Sequence, residues 1–199
     1  ILLPVMHSLP PEVDKVNITS GFPLAMTPIA SLVSQMFDLY TIGMRKRGEH
    51  YVTSYVGKVL THPYAHYISE NAKSTFATLK EQHIFYPDRS LLTMNDEDEG
   101  LSMLFPANAG FAATGDIKQL LNLIGTTIKR IGVKAKDVDD ALFQESVFRM
   151  YTIVNRLEQL AADGDMDVDI TTLRRLTKQL TSSTTIPFHG EPVVGVQIM

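Results

Sequence analysis

Ile186-Pro187-Phe188-His189-Gly190-Glu191-Pro192, running into Val193-Val194-Gly195-Val196-Gln197-Ile198-Met199, reads as a loop followed by an apolar strand. A strand ending in Val-Gln-Ile-Met has neither a cap nor a polar tail. At the other end, Ile1-Leu2-Leu3-Pro4-Val5 is apolar and lacks an initiator Met. Both ends lead to the expectation of a piece cut from a larger protein, with the function belonging to that parent. Residues 16–24, Val-Asn-Ile-Thr-Ser-Gly-Phe-Pro-Leu, read as a second short strand and a turn, punctuated by Gly21 and Pro23.

Between these strand-like ends the apolar residues recur at helical spacing. Thr27-Pro28 is a helix start, with Thr27 as N-cap and Pro28 at the first helical position. Ile29, Leu32, Val33, Met36, Phe37 and Tyr40 follow on one face, and Gly48 is a plausible stop. A second helix is expected over residues 51–60 and a third from Pro63 to about Gln82, with 84–87 extended and 87–114 irregular. Residues 116–131 carry Ile117, Leu121, Ile124, Ile128 and Ile131 on one stripe. Residues 137–162 repeat the pattern with Phe143, Val147, Met150, Val154, Leu157 and Ala161. Alternating four- and three-residue steps are those of helices packed nearly antiparallel. Asp169 caps a last helix carrying Leu173, Leu176 and Leu180. The expected fold is mainly α: a bundle-like helical insertion with short strands near both termini that return to one sheet of a host domain.

Composition narrows the chemistry. At 199 residues and 44% hydrophobic content the chain suits one domain or a domain with a small appendage. No apolar run approaches the ~18 residues of a membrane span, and no charged leader precedes an apolar segment. The absence of cysteine excludes disulfides, thiolate catalysis and cysteine-ligated metal sites, and is consistent with a cytoplasmic location. With a net charge of −4, contact with nucleic acid has to come from a local basic face.

Each candidate motif has a structural reading beside its chemical one. Gly125-Thr126-Thr127-Ile128-Lys129 lacks the glycine-then-Lys-Ser/Thr order of a phosphate loop and falls inside a helix. Asp163-Gly164-Asp165-Met166-Asp167 is superficially like a calcium loop, but Val168 stands where Gly is needed and Arg174 where a bidentate Glu is needed. His62 and His66 have the spacing of two metal ligands on a helix face, with Pro63 between them marking a boundary. Pro87-Asp88 followed by Asp116-Ile117-Lys118 matches a metal-nuclease pattern as text, although Asp116 opens a helix. Ser20, Ser182 and their neighbouring threonines have no His–acid arrangement of a nucleophile. Neither catalytic nor metal-ligating residues are expected in this chain. Two basic clusters remain as phosphate-contacting candidates: Arg45-Lys46-Arg47, and Lys129, Arg130, Lys134 and Lys136. Cations favourably placed at helix C-termini are the alternative.

Three stretches together carry a family resemblance. Asn17-Ile18-Thr19-Ser20-Gly21-Phe22-Pro23-Leu24 before Thr27-Pro28, then Leu60-Thr61-His62-Pro63-Tyr64, then residues 186–199, resemble in order and spacing segments of the AddB-like subunits of bacterial helicase–nucleases. Those subunits have a superfamily 1 helicase-like body and a C-terminal PD-(D/E)XK nuclease domain. The resemblance spans nearly the whole chain, strongest in the end motifs and weakest over 87–115; Ser20 departs from the family's usual Met. It implies that residues 1–26 and 184–199 are edge pieces of a RecA-like core domain. Residues 27–183 would form the helical accessory subdomain, of the type called 2B, that interrupts it. It further implies a parent acting on DNA ends in double-strand-break repair with an AddA-like helicase–nuclease partner. ATP and Mg²⁺ would then be bound only in the parent complex, upstream and downstream of this chain. The protein-only alternative is an interaction module without DNA contact, which the net charge favours.

Overall fold

The computed structural model describes residues 8, 10, 16–18, 21–45, 49–107, 116–187 and 196–198, the terminal strands 16–18 and 196–198 by their backbone. The fold is mainly helical, as the periodicities predict. A short strand β1 (Val16–Ile18) and a two-residue strand β2 (Phe22–Pro23) lead through a 3-10 turn into α1 (Pro28–Thr41). Strands β3 (Met44–Arg45) and β4 (His50–Tyr51) form a hairpin before α2 (Thr53–Leu60), α3 (Ala65–Ile68) and α4 (Ala72–Glu81). Two short helices follow, α5 (Arg89–Leu92) and α6 (Gly100–Leu104). The long helices α7 (Ile117–Lys134), α8 (Ala141–Asp163) and α9 (Ile170–Ser183) lead to β5 (Thr185–Ile186) and β6 (Val196–Ile198).

The two ends of the body meet. β1 and β6 pair in parallel with Val16 opposite Val196 and Ile18 opposite Ile198. Just inside them, β2 and β5 pair antiparallel, Phe22 opposite Ile186. The Leu24 N–H donates to the Thr184 carbonyl at 3.0 Å, so the 3-10 turn is tied to the end of α9. The helical body thus hangs from a double stem made by its own entry and exit.

The apolar stripes form the core. Ile117, Leu121, Ile124, Ile128 and Ile131 of α7 are buried against Phe143, Val147, Met150, Val154, Leu157 and Ala161 of α8. Every apolar residue of the predicted face of α1 is buried as well. In α9 the buried positions are Ile170, Leu173, Thr177 and Thr181, while Leu176 is half-buried and Leu180 exposed. The predicted leucine stripe is therefore displaced. Burying the two threonines is tolerable because each hydroxyl donates to the carbonyl four residues back, Leu173 and Thr177, at 2.9 and 2.7 Å.

Several boundaries and one cap differ from expectation, the helix expected from residue 137 beginning at Ala141. Helix α1 stops at Thr41 rather than near Gly48, because the N–H groups of Ile42 and Gly43 both donate to the Asp38 carbonyl and the chain doubles back. A Cβ at Gly43 would lie 2.7 Å from the Leu39 carbonyl, so only glycine fits this reversal. The second helix starts at Thr53, since Tyr51 is committed to the hairpin and its N–H donates to the Pro87 carbonyl. The expected third helix is two, split at Ser69-Glu70-Asn71. Thr27 sits at the N-cap of α1, but its hydroxyl donates back to the Leu24 carbonyl at 2.6 Å instead of accepting from the helix.

Candidate nucleic-acid interface

The acidic run 96–99 and the basic end of α7 are partners. Both Asp96 oxygens cap α6, accepting from the Leu101 and Ser102 N–H groups at 2.8 and 2.6 Å. The Arg130 guanidinium donates to the Ile68 carbonyl, the Asp98 carbonyl and the Asp98 carboxylate at 2.7, 2.6 and 2.9 Å. Burial by itself would raise the Asp98 carboxyl. The Ser69 hydroxyl, the Gly100 N–H and the Arg130 charge outweigh it and hold the group below its ordinary value. Arg130 therefore joins the end of α3, the acidic turn and α7; its side chain is 22% exposed. Lys134 reaches the same carboxylate at 3.5 Å from a more open position.

Of the second basic cluster, Lys129, Lys134 and Lys136 remain on the surface. They border a shallow depression of about 530 Å³ that also includes Met103, Thr126 and Val133. A second depression, of about 520 Å³, shares Met103 and Thr126 with the first and extends to Lys118, Asn122 and Glu158. The two join into one trough along α7. From Lys118 to Lys134 its length is about 24 Å at ~1.5 Å per residue, with lysines at both ends. Among the described residues Lys118, Lys129 and Lys136 have no carboxylate within ion-pairing distance. Such a trough suits a phosphate chain held by point charges rather than a shaped small molecule.

Lys118 is the site residue that the sequence reading assigned elsewhere. Its signal was present in the spacing: Lys118, Asn122, Thr126, Lys129 and Val133 rise along one face of the helix in steps of three and four, and Lys136 follows in the turn beyond it. In the first basic cluster, Arg45 ends β3 and its guanidinium donates to the Ile42 and Met44 carbonyls at 2.6 and 3.1 Å. Lys46 and Arg47 lie outside the described residues. The structure does not bring Arg45 into the α7 trough; it stands on the hairpin.

The chemical motifs resolve into structural roles. The Asp116 Oδ1 accepts from the Lys118 and Gln119 N–H groups, capping α7. Asp88 likewise caps α5, and the Leu91 N–H and the Ser90 hydroxyl hold its carboxyl below the ordinary value. Two capping aspartates on different helices are not the adjacent-strand acids of a metal nuclease. His62 Nδ1 accepts from the Tyr64 N–H at 3.1 Å, which leaves the proton on Nε2, 2.8 Å from the Ser31 hydroxyl. That hydroxyl donates in turn to the Pro28 carbonyl. The nitrogen facing Ser31 is thus a donor and is no base for it. The pair ties the 60–64 turn to the start of α1. His66 instead stacks on Tyr67 at 3.8 Å. Asp163 ends α8 at Gly164, and the Asp169 Oδ1 caps α9 from the Thr172 N–H at 2.6 Å. Ser182 lies within α9, and Ser20 lies outside the described residues. Among the described residues no three His, Asp or Glu side chains gather as metal ligands, and no helix is long and apolar enough to cross a membrane. Comparison with protein-family models, curated proteins and solved structures returns no match.

Proposed function

We propose that this chain is the non-catalytic helical accessory subdomain of an AddB-like helicase–nuclease subunit, guiding DNA at ends processed in double-strand-break repair. The observation that supports it most is the parallel ladder between β1 and β6. Parallel neighbours need a crossover, and here the crossover is the entire helical body. A three-residue parallel pair is too small to be stable by itself in water. It fits as part of a wider host sheet from which the helices project, residues 1–26 and 184–199 belonging to that host and 27–183 to the projection. The lysine trough on α7 then supplies phosphate contacts. ATP and Mg²⁺ belong to the rest of the parent and its AddA-like partner, in the cytoplasm.

Fluorescence anisotropy with single-stranded, duplex and forked DNA, with Mg²⁺ and a gel check for cleavage, tests this reading. Binding without cleavage is the expected outcome. Mg²⁺-dependent cleavage lost in Asp116→Ala would replace it with a nuclease, and absence of binding at low salt would leave a module without DNA contact. That second reading has its own support: α8 exposes Phe148 at 63% and Leu142 at 42%, apolar surface of the kind that neighbouring domains cover.

A further inference from the structure

Between α1 and α9, beside the stem, lies a cavity of about 320 Å³ that shares no lining residue with the α7 trough. Small residues leave it open: Ala30 and Ser34 of α1 line it together with Thr177 and Thr181 of α9, and Ala25 and Ser182 line it near the stem. Toward the other ends of the two helices the Arg174 guanidinium pairs with the Asp38 carboxylate and ties α9 to α1. Val33 and Phe37, each 2% exposed, supply the apolar wall. The Thr177 and Thr181 hydroxyls donate to carbonyls of their own helix, so neither has a proton left for a ligand.

The polar groups left over are hydroxyls and cations. Ser34 and Ser182 form no hydrogen bond with a described residue. Lys178 lines the cavity and, among the described residues, has no carboxylate within ion-pairing distance. Arg174 meets Asp38 through one terminal nitrogen, and a guanidinium carries five N–H donors. No carboxylate lines the cavity. An apolar wall with a few polar groups, at the small end of the ~300–1,000 Å³ of ligand pockets, is the make-up of a small-molecule site. A neutral apolar occupant would strip water from the Lys178 ammonium and return nothing to it. Positive charge beside an apolar wall therefore selects an acid with an apolar body.

We infer that this cavity binds a small amphiphilic carboxylic acid, its apolar body against Val33 and Phe37 and its carboxylate held by Lys178 and the spare donors of Arg174. The inference goes beyond the DNA-guiding reading and does not depend on it. Because the ligand spans α1 and α9, the two helices that flank the stem, its binding stabilises the fold by mass action.

The test titrates the whole chain with sodium octanoate and with octanamide, its neutral isostere, following assigned backbone amide shifts. The expected result is saturable shifts at Ala30, Ser34 and Lys178, with a Kd for octanoate of about 1 mM or tighter. Octanamide should bind roughly tenfold more weakly, having lost the charge-assisted bond. Two variants carry the argument, and both replace exposed residues, so their helical circular dichroism should match wild type. Lys178→Gln should weaken octanoate about fivefold or more, and Ser34→Leu, which fills the cavity, should abolish the shifts. Absence of saturable shifts at about 10 mM octanoate, equal affinity for octanamide, or unchanged affinity in either variant overturns the inference. Shifts confined to α7 assign the acid to the trough lysines and overturn it as well. Each of these outcomes leaves the DNA-guiding reading where it stood, since no trough residue is altered.

Discussion

Arg130 sits among four cations within eight residues, yet its guanidinium is committed inside the fold to Ile68 and Asp98. Text alone could not separate it from Lys129, because charge at a helix end reads the same whether it faces water or a carboxylate from 32 residues away. Arg130→Ala should therefore cost about 3 kcal/mol in denaturant unfolding, two carbonyls and a carboxylate losing a charged donor. Lys129→Ala should stay within about 0.5 kcal/mol of wild type. Equal, small effects of both would contradict the structural role of Arg130. For the same reason a DNA-binding test belongs on Lys129, Lys134 and Lys136, whose removal leaves the fold standing. His62 gives a pH prediction. Burial lowers its pKa below 6.5, only partly opposed by the Pro28 carbonyl, so the folded state holds the neutral ring. The unfolded chain then binds the proton more readily. The stability that His62 contributes is complete above the unfolded value and declines as pH falls from about 6.5 through the lowered folded value. His62→Ala should be less stable than wild type at pH 8 by about 1 kcal/mol, with a shallower loss between pH 7 and 5. Parallel pH profiles would show that the Ser31–His62 tie carries no such linkage.

At the scale of elements, the aspartate-led helix starts and the stripes of α1, α7 and α8 were legible, while the α9 stripe, the role of Thr27 and the turns were not. Asp116 was readable as a helix start and Asp169 as a cap because a short acceptor stands just before a periodic apolar run, and both cap in the structure. Asp116→Ala should cost about 1 kcal/mol of stability and alter no Mg²⁺-dependent property; altered metal dependence would revive the nuclease pattern. The β3–β4 hairpin was hidden because its strands are two residues long, too short for alternation to show. The acidic run 96–99 gave no hint that it pins α7, since Arg130 lies 32 residues away from Asp98. Gly100 marks where those elements close: a Cβ there would lie 1.9 Å from the Ile68 carbonyl. Gly100→Ala should therefore separate the acidic turn from α3 and lower the melting temperature by several degrees, about 4 or more for a loss near 2 kcal/mol in a chain of this size. An unchanged melting temperature would mean that this contact opens freely.

For the molecule as a whole, the sequence carried the helical class and the strand-like ends, while the pairing of those ends is a property of the folded chain. The core of α1, α7, α8 and α9 lies within residues 24–186. A chain trimmed to residues 21–187 should therefore unfold cooperatively with its helical circular dichroism retained; non-cooperative melting would make the terminal strands part of the core rather than a stem. The trough was only half legible, because Lys118 belongs to it through the geometry of α7 and not through clustering in the text. The most direct test of the DNA-guiding account is the salt dependence of affinity for a single-stranded probe. Four trough lysines, Lys118, Lys129, Lys134 and Lys136, predict a slope of log K against log salt of about −3. Replacing Lys129, Lys134 and Lys136 by alanine should reduce that slope by about 2. A flat slope, or one that the triple substitution leaves unchanged, would contradict the account.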